Sequence, residues 1–201
     1  MPAKPERYHH GDLRRALMDT VLTMVSERGD AGDVTLREVA RRAGVSHNAP
    51  YRHFADKEAL LAAIATEGFG LLTADLRAAR GGAADGRERF VATGMAYVRF
   101  ARRHRGYLAV MHGPGVAKGH TADLQRAANE TFQILKEGVG DARAVDPARA
   151  RQLGTVVWAF LYGLTTLYDN HQVPASVGAS AEQLVELGLS HFFRSFERGP
   201  A

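Results

Sequence analysis

His47, Asn48, Tyr51, Arg52 and His53 crowd into one short stretch behind Ser46, in the run SHNAPYRHF. Polar, aromatic and cationic side chains at this density suit hydrogen bonding to base edges and to phosphate oxygens. The Asn48 amide carries a donor and an acceptor side by side, which matches the N7 and N6 edge of adenine. His47 and Asn48 stand near the start of the segment, where base contacts concentrate when a helix enters the major groove. Tyr51 and Lys57 suit phosphates, which set register without reading sequence. Thr35 and Arg37 open the preceding helix and suit phosphate as well. Phe54 reads as core.

A second set is aromatic and thioether-rich: Met95, Tyr97, Tyr107, Met111, Phe132, Trp158 and Tyr162. Such side chains line apolar ligand sites, with Tyr107, His112 and Tyr162 as polar handles. They would serve equally in an ordinary core. Catalysis finds no foothold. The chain lacks a G-x-S-x-G elbow, a phosphate-binding loop, a dinucleotide fingerprint and an H-E-x-x-H pair. His104, His112 and His120 are scattered with no obvious nucleophile beside them, so no catalytic residue is assigned. Cysteine is absent, which removes disulfides and thiolate metal sites. His9 and His10, near Arg7, could hold a metal or form an arm. Without a carboxylate set they read as a polar terminus, and no metal ligand or cofactor is expected.

The 201 residues, 45% of them hydrophobic, can build a sizeable core in one or two domains. A net charge of +4 is mildly favourable for nucleic acid. The amino terminus MPAKPERYHHGD lacks the apolar centre of a signal peptide, and no apolar run approaches the ~20 residues needed to span a bilayer. A cytoplasmic protein with no membrane partner is expected.

The elements that must position these groups are nearly all helices. Asp12 can cap a first helix with Leu13, Leu17, Val21, Met24 and Val25 at spacings of three and four. In TLREVARRAGVS, Thr35 and Glu38 have capping-box spacing, and Gly44 can stop the helix in a left-handed turn. Ser46 can cap a second helix carrying the polar cluster. Together these make a helix-turn-helix. Asp56 caps a long helix with Leu60, Leu61, Ile64, Leu71 and Leu72 on one side. Gly81 to Gly86 is a loop. Further helices cover 87–104, 106–112 and 121–139, with a break at Gly113, Pro114 and Gly115. Asp146 and Pro147 open a helix to Asp169 that is apolar almost all round and needs burial on several sides. Ser180 and Gln183 form a capping box before a last helix, to about Glu197. These two helices are the expected dimer interface, through Phe160, Leu164, Leu184, Leu187, Gly188 and His191. Gly188 would let partner helices approach closely.

The stretch from Tyr8 to Leu61, with TLREVARRAGVS and YRHFADKEALL, resembles the TetR family of bacterial transcriptional regulators. VWAFLYGL around Trp158 resembles a subgroup marked by a tryptophan and a histidine-glycine pair; Trp158 and Gly163 match, and Tyr162 replaces the histidine. Pro50 stands where the family usually has an aliphatic residue, and could stiffen or redirect the recognition helix. The resemblance implies an all-α subunit of about nine helices. Residues 1–56 would form the DNA-binding domain and 57–201 the effector-binding and dimerisation domain. It also implies a homodimer on double-stranded DNA, and makes an amino-terminal arm near the backbone plausible. The function expected is a repressor released from a palindromic operator by a small apolar or aromatic effector. The alternative is a DNA-binding dimer whose second domain only dimerises.

Overall fold

The computed structural model describes residues 13–29, 31–118, 121–142 and 145–198. His9, His10, Asp12 and His120 lie outside the described residues. Among those described are nine α-helices and no strand. They form two compact units.

The first unit holds α1 (Leu13–Arg28), α2 (Leu36–Arg42), the first half of α3 (Lys57–Gly81), α5 (Arg105–Met111) and α6 (Pro114–Lys118). Leu17, Val21, Met24 and Val25 of α1 are fully buried, as their spacing requires. Val39, Phe54, Leu60, Leu61 and Ile64 join them. Asp56 caps α3 by accepting from the Ala59 amide at 2.7 Å. Leu72 of α3 is buried but Leu71 is exposed, because adjacent positions diverge by ~100° round a helix. The break expected at Gly113, Pro114 and Gly115 falls at residues 112–113, and Pro114 already starts α6; proline at a helix's first position loses no bond. One 18-residue window of α3 has a mean hydropathy of 1.4, so by length and composition this helix is apolar enough to cross a membrane. That corrects the expectation of no such run. Half of the window is buried inside the protein.

The second unit holds the rest of α3, α4 (Gly86–Arg103), most of α7 (Ala122–Ala142), α8 (Pro147–Asp169) and α9 (Ala181–Arg198). Asp146 accepts from the Ala148 and Arg149 amides and fixes the start of α8. At α9 the capping box is reciprocal: the Ser180 amide donates to Gln183 at 2.7 Å and the Gln183 amide to Ser180 at 3.2 Å. Phe90, Tyr97, Phe100, Leu161, Val185, Leu189 and Phe193 form the core. Two polar links cross it. The hydroxyls of Thr73 and Thr131 meet at 2.7 Å. Asp141 pairs with Arg80 at 2.8 Å and Arg89 at 3.2 Å.

Candidate nucleic-acid interface and ligand site

The candidate nucleic-acid interface is built on the end of α2. The Thr35 hydroxyl accepts from the Glu38 amide at 3.2 Å. The Glu38 carboxylate, expected to return the bond, instead pairs with the Arg28 guanidinium, which holds its pKa below the usual range. A second pair, Arg42 to Glu27 at 2.6 Å, also ties α2 to α1. At the far end the Val45 amide donates to the Ala40 carbonyl and the Gly44 amide to Arg41, with Gly44 at φ +69°. This is a Schellman stop, and it aims the chain after residue 45 away from α2.

Beyond residue 45 the chain does not form the α-helix capped by Ser46 that its sequence suggests. Residues 47–49 form a turn and Pro50–Arg52 a single 3₁₀ turn. The reason is local. A regular helix from Ser46 would need an amide at position 50 to donate to the Ser46 carbonyl, and proline has none. The Ala49 amide takes that carbonyl at 2.9 Å instead, and Arg52 bonds back to Ala49 at 3.2 Å, both with 3₁₀ spacing. Pro50 sits at the first position of this turn and is buried. The polar cluster survives the change. Ser46, His47, Asn48, Tyr51, Arg52 and His53 are all exposed, as are Thr35 and Arg37. Phe54 is buried beneath, with the Arg14 guanidinium 5.3 Å from its ring centre. Thr35, Tyr51 and Lys57 line one open groove of about 480 Å³ with Asp33 and Asp56. The Lys57 ammonium donates to the Gly32 carbonyl at 2.5 Å, so it is already held at the rim of that groove.

The expected ligand set divides. Tyr107, Met111 and His112 belong to the first unit; Met95, Phe132, Trp158 and Tyr162 belong to the second. In the first, Tyr107 and Met111 pack beside Gly68 of α3. The Tyr107 hydroxyl donates to Glu67 at 2.5 Å and accepts from Arg15 at 3.4 Å, so this handle is engaged within the protein. Burial raises its pKa, and the hydrogen bond to Glu67 adds to that. Burial pulls His112 down to about 4.

In the second unit, Phe132 of α7 meets Trp158 of α8 edge-on at 6.5 Å, and Tyr162 follows Trp158 one turn later. The Tyr97 hydroxyl of α4 faces the same pair, and burial drives its pKa well up. Met95 is two residues from Tyr97, ~200° round α4, and lines a different groove with Arg87, Arg99, Glu186 and Ser190. Tyr97 is buried while Trp158 and Tyr162 are partly exposed, yet in the sequence nothing distinguishes it from the other aromatics.

The expected interface residues lie on the other flank of α8 and on α9. Leu187 is 56% exposed, His191 is exposed, and Phe160, Leu164 and Leu184 are half-buried. Gly188 needs a different account from the expected one. A Cβ there would overlap the Phe160 ring of the same chain. Its smallness serves the packing of α9 on α8 within the subunit.

Residues 23–64 match the family described as bacterial regulatory proteins, tetR family. Residues 90–192 match the tetracyclin repressor-like carboxy-terminal domain. A solved structure of a protein with unknown function from Rhodococcus sp. RHA1 is 35% identical, with a TM-score of 0.74, over 94% of this chain and 97% of that one. The fatty acid degradation regulator FadR from Bacillus halodurans is 14% identical with a TM-score of 0.69, over 93% and 96% of the two chains, and shares the fold. The HTH-type transcriptional regulator BetI of Rhizobium meliloti (strain 1021) is 41% identical over 76 residues. That match spans 38% of this chain and 37% of BetI.

Proposed function

Because this chain belongs to the TetR family of bacterial regulatory proteins, and is therefore a DNA-binding transcriptional regulator and not an enzyme, we propose that it is a dimeric repressor. It binds a palindromic operator in the cytoplasm and is released by a small apolar or aromatic molecule. The observation that carries the reading is the exposed cluster His47, Asn48, Tyr51 and Arg52, presented after the Schellman turn of a helix-turn-helix. Asn48 and His47 read base edges; Thr35, Arg37, Tyr51, Arg52, His53 and Lys57 hold the backbone, with Ser46 at the entry to the cluster. One such element covers part of a major groove, so a twofold pair is required for useful specificity. Val156, Leu167 and Leu187, exposed at 49%, 43% and 56%, supply apolar surface for that pairing on α8 and α9. The effector site is the partly exposed flank of Trp158 and Tyr162 with Phe132. A ligand that binds one spacing of the two reading heads better than another shifts the population away from the operator-competent state.

The test combines selection of bound sites from random DNA with a salt series. A palindromic consensus is expected. Affinity should fall about 10³-fold from 50 to 200 mM salt if Arg37, Arg52 and Lys57 of each subunit neutralise six phosphates in all, with the uncharged Thr35 and Tyr51 adding hydrogen bonds. Asn48→Ala should relax one base position by ~1–3 kcal/mol, while Tyr51→Ala weakens all sequences alike. An asymmetric consensus, or affinity indifferent to salt, would overturn the reading.

A further inference from the structure

Tyr97 is 2% exposed, and its buried hydroxyl finds no acceptor for its own hydrogen among the described residues. A buried hydroxyl left unmatched is costly, and native chains rarely leave one without a use. The Trp158 indole N–H approaches the phenol oxygen as a hydrogen-bond donor. An indole N–H, however, only donates. It can serve an oxygen lone pair and can never take the phenol's own hydrogen. What is missing at Tyr97 is therefore an acceptor.

The surroundings say what kind of molecule would bring it. Phe132, Trp158 and Tyr162 offer ring faces and edges, and Trp158 and Tyr162 are 37% and 36% exposed, so the cluster opens to solvent on that side. Phe160 is ~200° round α8 from Trp158, so the apolar flank turned toward α9 does not include this opening. Burial pushes the Tyr97 phenol strongly toward its neutral form. The same environment penalises an anionic acceptor placed beside it.

We propose that Tyr97 is the specificity-determining donor of a ligand site at Phe132, Trp158 and Tyr162, which takes a flat aromatic molecule bearing an uncharged carbonyl oxygen. This rests on the reading that the second unit binds a small molecule, and adds to it the chemistry that is selected.

Trp158 is the only tryptophan, so its fluorescence reports on this site directly. Three matched probes separate the possibilities: 2-acetylnaphthalene, 2-ethylnaphthalene and 2-naphthoate. The acetyl compound should quench Trp158 with a Kd at least tenfold below those of the other two. Tyr97→Phe should erase that advantage and leave the Kd for 2-ethylnaphthalene unchanged. The ligand-free Tyr97→Phe protein should remain folded, losing at most the contact of its oxygen with the Trp158 N–H. Binding of all three probes without discrimination overturns the role of Tyr97 alone. So does discrimination that survives in Tyr97→Phe. Failure of every probe to bind overturns the ligand site itself, and with it that part of the proposed function.

Discussion

Single residues in this protein are easiest to interpret where local geometry decides their role. Thr35, Ser180, Gln183, Asp56 and Asp146 all cap the helices their spacing implies, because a cap acts only on amides two or three positions away. Side chains whose partners are distant in sequence are harder to assign. Tyr107 has the chemistry of a ligand handle, but Glu67 and Arg15 occupy its hydroxyl, at separations of 40 and 92 residues. His112 has that chemistry too, and its burial has a consequence for pH. Its folded pKa is about 4, below the ordinary 6.5. Between those values the unfolded chain binds a proton that the folded chain refuses. Stability is therefore full above about pH 6.5 and falls as pH drops toward 4, by about 2–3 kcal/mol from this group. Denaturant unfolding at pH 7.5 and pH 4.5 should show the loss, and His112→Gln should show a loss smaller by that amount. An equal loss in the variant would move the pH dependence to other groups.

At the scale of elements, hydrophobic period is enough to place every long helix, and one missing amide is enough to alter the element proposed to read DNA. Pro50 converts the start of the expected recognition helix into 3₁₀ turns. Pro50→Ala returns an amide to position 50, free to donate to the Ser46 carbonyl. Residues 47–53 should then gain helical order, and their amides should exchange with solvent several-fold more slowly in native-state hydrogen exchange. If their protection is unchanged, the missing donor is not what holds this segment in 3₁₀ form. Operator affinity of the same variant shows whether the altered geometry matters for binding. The helix α8 makes a complementary point. Its apolar surface divides by angle: Val157 and Leu161 into the core, Trp158 and Tyr162 to one flank, Phe160 toward α9. A sequence that is apolar all round does not reveal that division.

For the whole molecule, the proposed dimer predicts a contrast between two adjacent positions. Leu187→Arg places a charge on a side chain already 56% exposed, so the subunit should fold while the dimer weakens. Gly188→Ala inserts a methyl group against the Phe160 ring of its own chain, so it should cost ~1–3 kcal/mol of subunit stability. Sedimentation and thermal unfolding separate the two effects; a Leu187→Arg protein that stays a tight dimer would place the interface elsewhere. The all-helical class, the helix-turn-helix, most caps and the family can be read from sequence alone. They depend on periods, caps and motifs that act within a few turns of chain. Which aromatic residues gather in which unit, that Phe160 claims the space at Gly188, and that the Tyr97 hydroxyl is buried without an acceptor among the described residues were decided only by the tertiary structure. Those facts depend on which helix faces meet, and residues such as Tyr97 and Trp158 are brought together across tens of positions by packing that no local pattern records.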